Sequence, residues 1–246
     1  GVASDGNTNE ILRGSRHSFN VNDLNSFGVN GFRNRGRAEA ALRDMYTGTG
    51  LVNTEGASTL SVAGLLQSLS TDGTNFPNTG IGRDLRDVSV MLKANIGLRS
   101  AVVNMGGWDH HDELGTAVDP DGRFYRRVSE LGQGLRAFID ELGPAGLDET
   151  TIAVISEFGR TVDENGNGGT DHGRAGTMFL IGGGVQGGVF GTDYPDVVAE
   201  DTNNRRAFQV MTDYRQGLDE VLASRVGVNG IFPTMAPGTP LGVVRA

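Results

Sequence analysis

The chain holds four histidines, and three of them sit in two short polar clusters beside acidic residues. The first cluster is Gly106-Gly107-Trp108-Asp109-His110-His111-Asp112-Glu113, and the second is Gly169-Thr170-Asp171-His172-Gly173. Between them lies Ser156-Glu157-Phe158-Gly159-Arg160-Thr161. Imidazoles and carboxylates gathered in one place form a donor set for a divalent cation such as Zn, Mn, Mg, Fe or Ca. A cation would also relieve the repulsion among the gathered carboxylates. The chain has no cysteine, so thiolate sites and disulfides are excluded. An isolated Asp-His pair in a loop is ordinarily a turn or a cap. Two such pairs and a glutamate at a strand end, in a chain with so few histidines, point instead to a metal or catalytic site. The expected ligands are Asp109, His111, Glu157, Asp171 and His172.

Other residues near these motifs carry alternatives. Arg160 is placed either to hold a phosphate or sulfate in bidentate fashion or to pair with Glu157 or Asp163. His110 is expected beside the ligands, as an outer support or a substrate contact. Trp108, the sole tryptophan, suits a pocket wall or plain core. Asp163-Glu164-Asn165-Gly166-Asn167-Gly168 opens like a calcium loop. Its twelfth position is Arg174 where a bidentate glutamate is required, so a turn presenting Asp171 and His172 is the better reading. His17 stands alone in a polar arm, and Asp193, Asp196, Glu200 and Asp201 read as a solvated loop.

The three motifs need elements to bring them together. Residues 1–60 read as an irregular arm with a short helix over Arg35–Tyr46, and 61–246 as one α/β domain. Helical spacing recurs over Ser58–Ser70, Ile81–Ile96, Phe124–Leu142 and Gln209–Val226. Short apolar runs at Ser100–Met105, Asp148–Ile155 and Thr177–Ile181 read as buried strands. Strand, long helix, strand predicts a βαβ unit, hence a largely parallel sheet flanked by helices. Ligands collect at strand ends in such sheets, which is how distant loops converge.

Composition narrows the partners. A net charge of −9 with a single lysine, Lys93, argues against a nucleic-acid backbone as ligand. No apolar run reaches the length of a membrane span. The many glycines follow no collagen-like period and read as turns.

The series GGWDHH, SEFGRT and NGNGGTDHG, followed by Met178-Phe179-Leu180-Ile181-Gly182-Gly183, resembles the bacterial family of uncharacterised proteins called DUF1501. Thr212-Asp213-Tyr214-Arg215 extends the likeness, which covers roughly residues 80–226. His110 stands where that family usually has threonine. DUF1501 proteins resemble the alkaline phosphatase superfamily, with its sulfatases and phosphodiesterases. The resemblance implies an alkaline-phosphatase-like α/β fold and a metal-dependent hydrolase of small phosphate or sulfate esters. It implies export to the periplasm or outside, since many relatives carry twin-arginine signals. Under it Asp109 and His111 form one ligand group and His172, with Asp171, completes the site, while Arg160 clamps the oxyanion. Glu157 and Phe158 replace the superfamily's usual Asp-His, a departure from its two-metal pattern. The superfamily's nucleophile follows an early strand, and no such strand is read in residues 1–60. Either it lies before Gly1 or the fold serves as a catalytically inactive module of an extracellular assembly, with subunit contacts that include a homo-oligomer.

Overall fold

The computed structural model describes residues 2–3, 18–29, 33–191, 197–200, 205–232 and 240–245. His17, Asp193, Asp196 and Asp201 lie outside these. The chain divides into two compact units, Gly1–Met105 with Glu130–Glu141, and Gly106–Ser129 with Leu142–Ala246. The site belongs wholly to the second.

In the first unit, β1 (Val2–Ala3) pairs in parallel with both β2 (Phe19–Asn20) and β3 (Ala101–Val102). Three helices follow the arm: α1 (Arg35–Met45), α2 (Leu51–Gln67) and α3 (Gly80–Lys93). Asn34 and Thr79 cap α1 and α3, each accepting a backbone N–H of the first turn that would otherwise go unpaired. Ile81, Leu85, Val88 and Met91 recur at helical spacing on α3 and are buried, with Leu60, Leu66 and Phe138 also in the core. Gly134 lets α4 (Arg123–Asp148) approach α3, since a Cβ there would lie 3.3 Å from Leu85. The long helix breaks at Gly143 (φ 62°), directly before Pro144. The break falls one residue past the expected end at Leu142.

The second unit is built from hairpin-like pairs. β4 (Thr151–Val154) runs antiparallel to β7 (Phe179–Gly182), and β5 (Gly159–Arg160) antiparallel to β6 (His172–Gly173). β8 (Val197–Glu200) pairs antiparallel with β9 (Arg205–Phe208). A bridge between Thr161 and the fully buried Ala207 extends the β5 segment toward β9. α5 (Tyr214–Val226) starts at the Asp213 cap and ends at Gly227, whose φ of 73° suits glycine.

Strand pairing differs from the expected βαβ unit. Among the described residues, parallel pairing is confined to β1, β2 and β3, and the partner of β4 is the antiparallel β7. A parallel return needs a crossover packed on the sheet, usually a helix. Residues 155–178 contain no helix; they make the β5–β6 excursion, after which the chain comes back antiparallel. No helix among the described residues is long and apolar enough to cross a membrane.

Candidate metal centre

The two histidine clusters meet. The rings of His111 and His172 are 5.0 Å apart between centroids. One oxygen, Asp109 Oδ1, lies 2.9 Å from His111 Nε2 and 2.8 Å from His172 Nε2. One donor atom from each of Asp109, His111 and His172 falls within 4.8 Å of the others. Donors around a tetrahedral zinc, with bonds of about 2.0–2.1 Å, stand roughly 3.3 Å apart, so this spacing suits a small cation. The three side chains are about half exposed, at 51%, 45% and 54%, which leaves the cluster open to a ligand from solvent.

Asp171 takes the other nitrogen of His111, with Nδ1 to Oδ1 at 2.8 Å. Both ring nitrogens of His111 thus face carboxylate oxygens. Hydrogen bonds to both need a proton on each nitrogen. A cation taking the Nε2 lone pair needs only the Nδ1–H that Asp171 accepts, the usual outer support of a metal-bound histidine. A doubly protonated His111 and a cation at Nε2 both satisfy this geometry. His172 is held differently: Phe158 stacks on it at 4.5 Å and 20°.

Backbone contacts hold the loops in place. Glu113 N donates to Asn167 O, Leu114 N to Gly168 O, and Thr170 N to His110 O, so the two cluster loops run side by side. Gly169 lies flat against the first loop, where a Cβ would stand 2.3 Å from the His111 carbonyl carbon. Gly159 is similarly tight, because a Cβ there would meet Ala175 O at 1.9 Å. The β5·β6 register sets Arg160 opposite His172.

Arg160 makes four bonds inside the site. Nη1 pairs with Asp109 Oδ1 at 2.5 Å and Nε donates to Thr170 Oγ1 at 2.9 Å. Nη2 donates to the carbonyls of His110 and Thr170. Neither expected partner, Glu157 or Asp163, receives it. The guanidinium joins both cluster loops and is a positioning residue, with most of its N–H groups committed to protein acceptors. The His172 hydrogen bond, reinforced by Arg160, holds the Asp109 carboxyl below the usual carboxylate range, though partial burial opposes this.

His110 is buried, at 8% exposure, and its Nε2 has no hydrogen-bond partner among the described residues. Burial first, then the positive charges of Arg160, Arg123 and Arg127, push its imidazole below the usual histidine range; Asp109 pulls the other way. It is thus an enclosed side chain, and the His110 backbone carbonyl, not the ring, accepts from Arg160 and from Thr170 N. Trp108 is half-buried.

Glu157 is exposed and outside the three-residue cluster. Phe158 and Arg160, two residues apart, are the members of SEFGRT that reach it, and the two-residue repeat of extended backbone puts Glu157 out of phase with them. Asp163 is no cation ligand either: Arg206 occupies both its oxygens, with Nη2 to Oδ1 at 2.7 Å and the backbone N to Oδ2 at 2.9 Å. The turn expected to present Asp171 and His172 bonds through Asn165 to Asp171. Sequence reasoning missed that Asn165 itself binds the site: its Nδ2 donates to His111 O and to Asp171 Oδ1. Its sequence signal was its place in the calcium-loop-like, glycine-rich turn at residues 163–168.

A family model described as protein of unknown function (DUF1501) matches residues 90–220, more than half of the chain and all of the cluster. No curated protein and no solved structure matches.

Proposed function

Since the chain belongs to the DUF1501 family, we propose that it is a metal-dependent, hydrolase-like protein acting on small phosphate or sulfate esters. The observation that carries this is the convergence of Asp109, His111 and His172 on one point open to solvent. Two imidazoles and one carboxylate favour zinc over the oxygen-seeking Mg and Ca. When bound, the cation supplies Lewis-acid polarisation of an ester oxygen and acidifies water. Asp171 fixes the ring orientation of His111, and Arg160 fixes the carboxylate of Asp109. The half-exposed face of the cluster admits the ester. The likeness to the alkaline phosphatase superfamily extends the proposal to an alkaline-phosphatase-like fold and to a periplasmic or extracellular setting.

One observation favours a second reading, a cation-binding module without turnover. Arg160, the residue expected to clamp the oxyanion, is engaged by Asp109, His110 and Thr170.

Metal analysis and titration of the full chain with zinc, followed by assays on aryl phosphates and aryl sulfates, test both readings. The hydrolase reading expects tight zinc and turnover, both lost in His172→Ala. Zinc held without turnover of either ester class leaves the binding module, and a wild-type chain that takes up no zinc sinks the site altogether.

A further inference from the structure

We infer that Asn165, which touches none of the three ligand side chains, sets the cation affinity of the centre by holding Asp171 against His111. The inference rests on the zinc reading above and adds a control point to it. The Asn165 amide is fully used. Its Nδ2 donates to His111 O at 2.8 Å and to Asp171 Oδ1 at 3.3 Å. Its Oδ1 accepts from Asn167 N at 2.9 Å and from Gly169 N at 3.1 Å. The amide orientation follows from the partners, because two backbone N–H groups need an acceptor while a carbonyl and a carboxylate need a donor.

The consequence runs through one atom. Asp171 Oδ1 receives Asn165 Nδ2 and His111 Nδ1 together. The Nδ2 that fixes this oxygen also fixes the backbone of His111, so ring and orienting carboxylate are held from a single point. Thr161 Oγ1 secures the other end of Asp171 by accepting its N–H at 3.1 Å. Only an asparagine-sized amide offers both functions at this reach. Aspartate has no N–H, serine is too short, and glutamine is one methylene too long. Groups that orient a metal-bound histidine typically govern affinity ten- to a hundredfold, at about the scale expected here.

The test uses the full chain and zinc alone, titrated against a chromophoric chelator, in wild type, Asn165→Ala, Asn165→Asp, Asp171→Ala and the Asn165→Ala/Asp171→Ala double variant. Asn165→Ala is expected to weaken zinc about tenfold. The double variant is expected to match Asp171→Ala within about twofold, because Asn165 acts through Asp171. Asn165→Asp keeps the acceptor for Asn167 and Gly169, so it holds the turn if the alanine variant does not fold. It sets an oxygen against two acceptors and is expected to weaken zinc despite adding negative charge. Tighter zinc in Asn165→Asp, additive losses in the double variant, or an Asn165→Ala affinity unchanged within about twofold would each overturn the inference. A second readout separates the two ideas. The Nδ1–H proton of His111 is expected in the NMR spectrum of the zinc-free wild type and absent from Asn165→Ala. If the wild type takes no zinc, the site reading fails by itself; if that proton persists in Asn165→Ala, the positioning role fails by itself.

Discussion

Replacing Arg160 with alanine distinguishes an internal anchor from a substrate clamp. The variant leaves Thr170 Oγ1, Thr170 O and His110 O without their charged donor, and leaves Asp109 with the two imidazoles alone. Hydrogen bonds from a charged group contribute about 1.5–3 kcal/mol each when well buried. The Arg160 side chain is 23% exposed, and water replaces part of what is lost. We discount to about 1 kcal/mol for each of the three bonds to neutral acceptors and count nothing for the pair with the exposed Asp109, giving about 3 kcal/mol. For a chain of this size that corresponds to a fall in melting temperature of roughly 6–12 °C, read on the transition that contains the second unit. Zinc affinity falls with it, since the Asp109 carboxylate loses its tether. Arg160→Lys restores about a third at most, because one ammonium cannot span the three directions of the guanidinium fork. Scanning calorimetry with chelator, then with zinc, supplies both numbers. If Arg160→Ala melts within about 2 °C of wild type and its only defect is a raised KM for an anionic ester, the anchoring argument is wrong and the clamp is right.

Two further substitutions probe the ground around the cluster. His110 has a folded pKa depressed by burial and by Arg160, Arg123 and Arg127, whereas the unfolded chain takes its proton near pH 6.5. Its contribution is therefore complete above that value and declines as the pH falls from there toward the folded pKa. Chemical denaturation at pH 7.5 and 5.5 should show a loss in wild type that shrinks in His110→Thr; an equal loss in both would remove His110 as the cause. Gly159→Ala puts a methyl against Ala175 O, so the β5·β6 pair must open and zinc binding should vanish with it. A folded Gly159→Ala variant with wild-type zinc affinity would show that the pair does not position His172.

The helices were legible because burial follows a period. Ile81, Leu85, Val88 and Met91 announce α3, and the apolar spacing over residues 124–142 announces the long helix that breaks at Gly143. That two distant histidine clusters come together was anticipated for a similar reason: three of the four histidines lie in short polar loops beside acids. Two differences between expectation and structure have one cause. Strand direction and the choice between Glu157 and Phe158 depend on how backbone segments pair, and pairing partners lie far apart in sequence. Nothing in Thr151–Val154 announces that Phe179–Gly182 will come back antiparallel, because that follows from what fills the interval.

By itself, then, the sequence determined the donor chemistry: imidazole and carboxylate without thiolate, on an acidic chain, in loops rich in glycine. Tertiary structure decided which donors meet. It put Asp109, His111 and His172 around one point, moved Asp171 to the far side of an imidazole, enclosed His110, and turned Arg160 into a tie between loops. The physical reason is range. Residue type sets what an atom can bind, but hydrogen bonds act over about 3 Å, and only the folded backbone brings residues sixty positions apart to that distance.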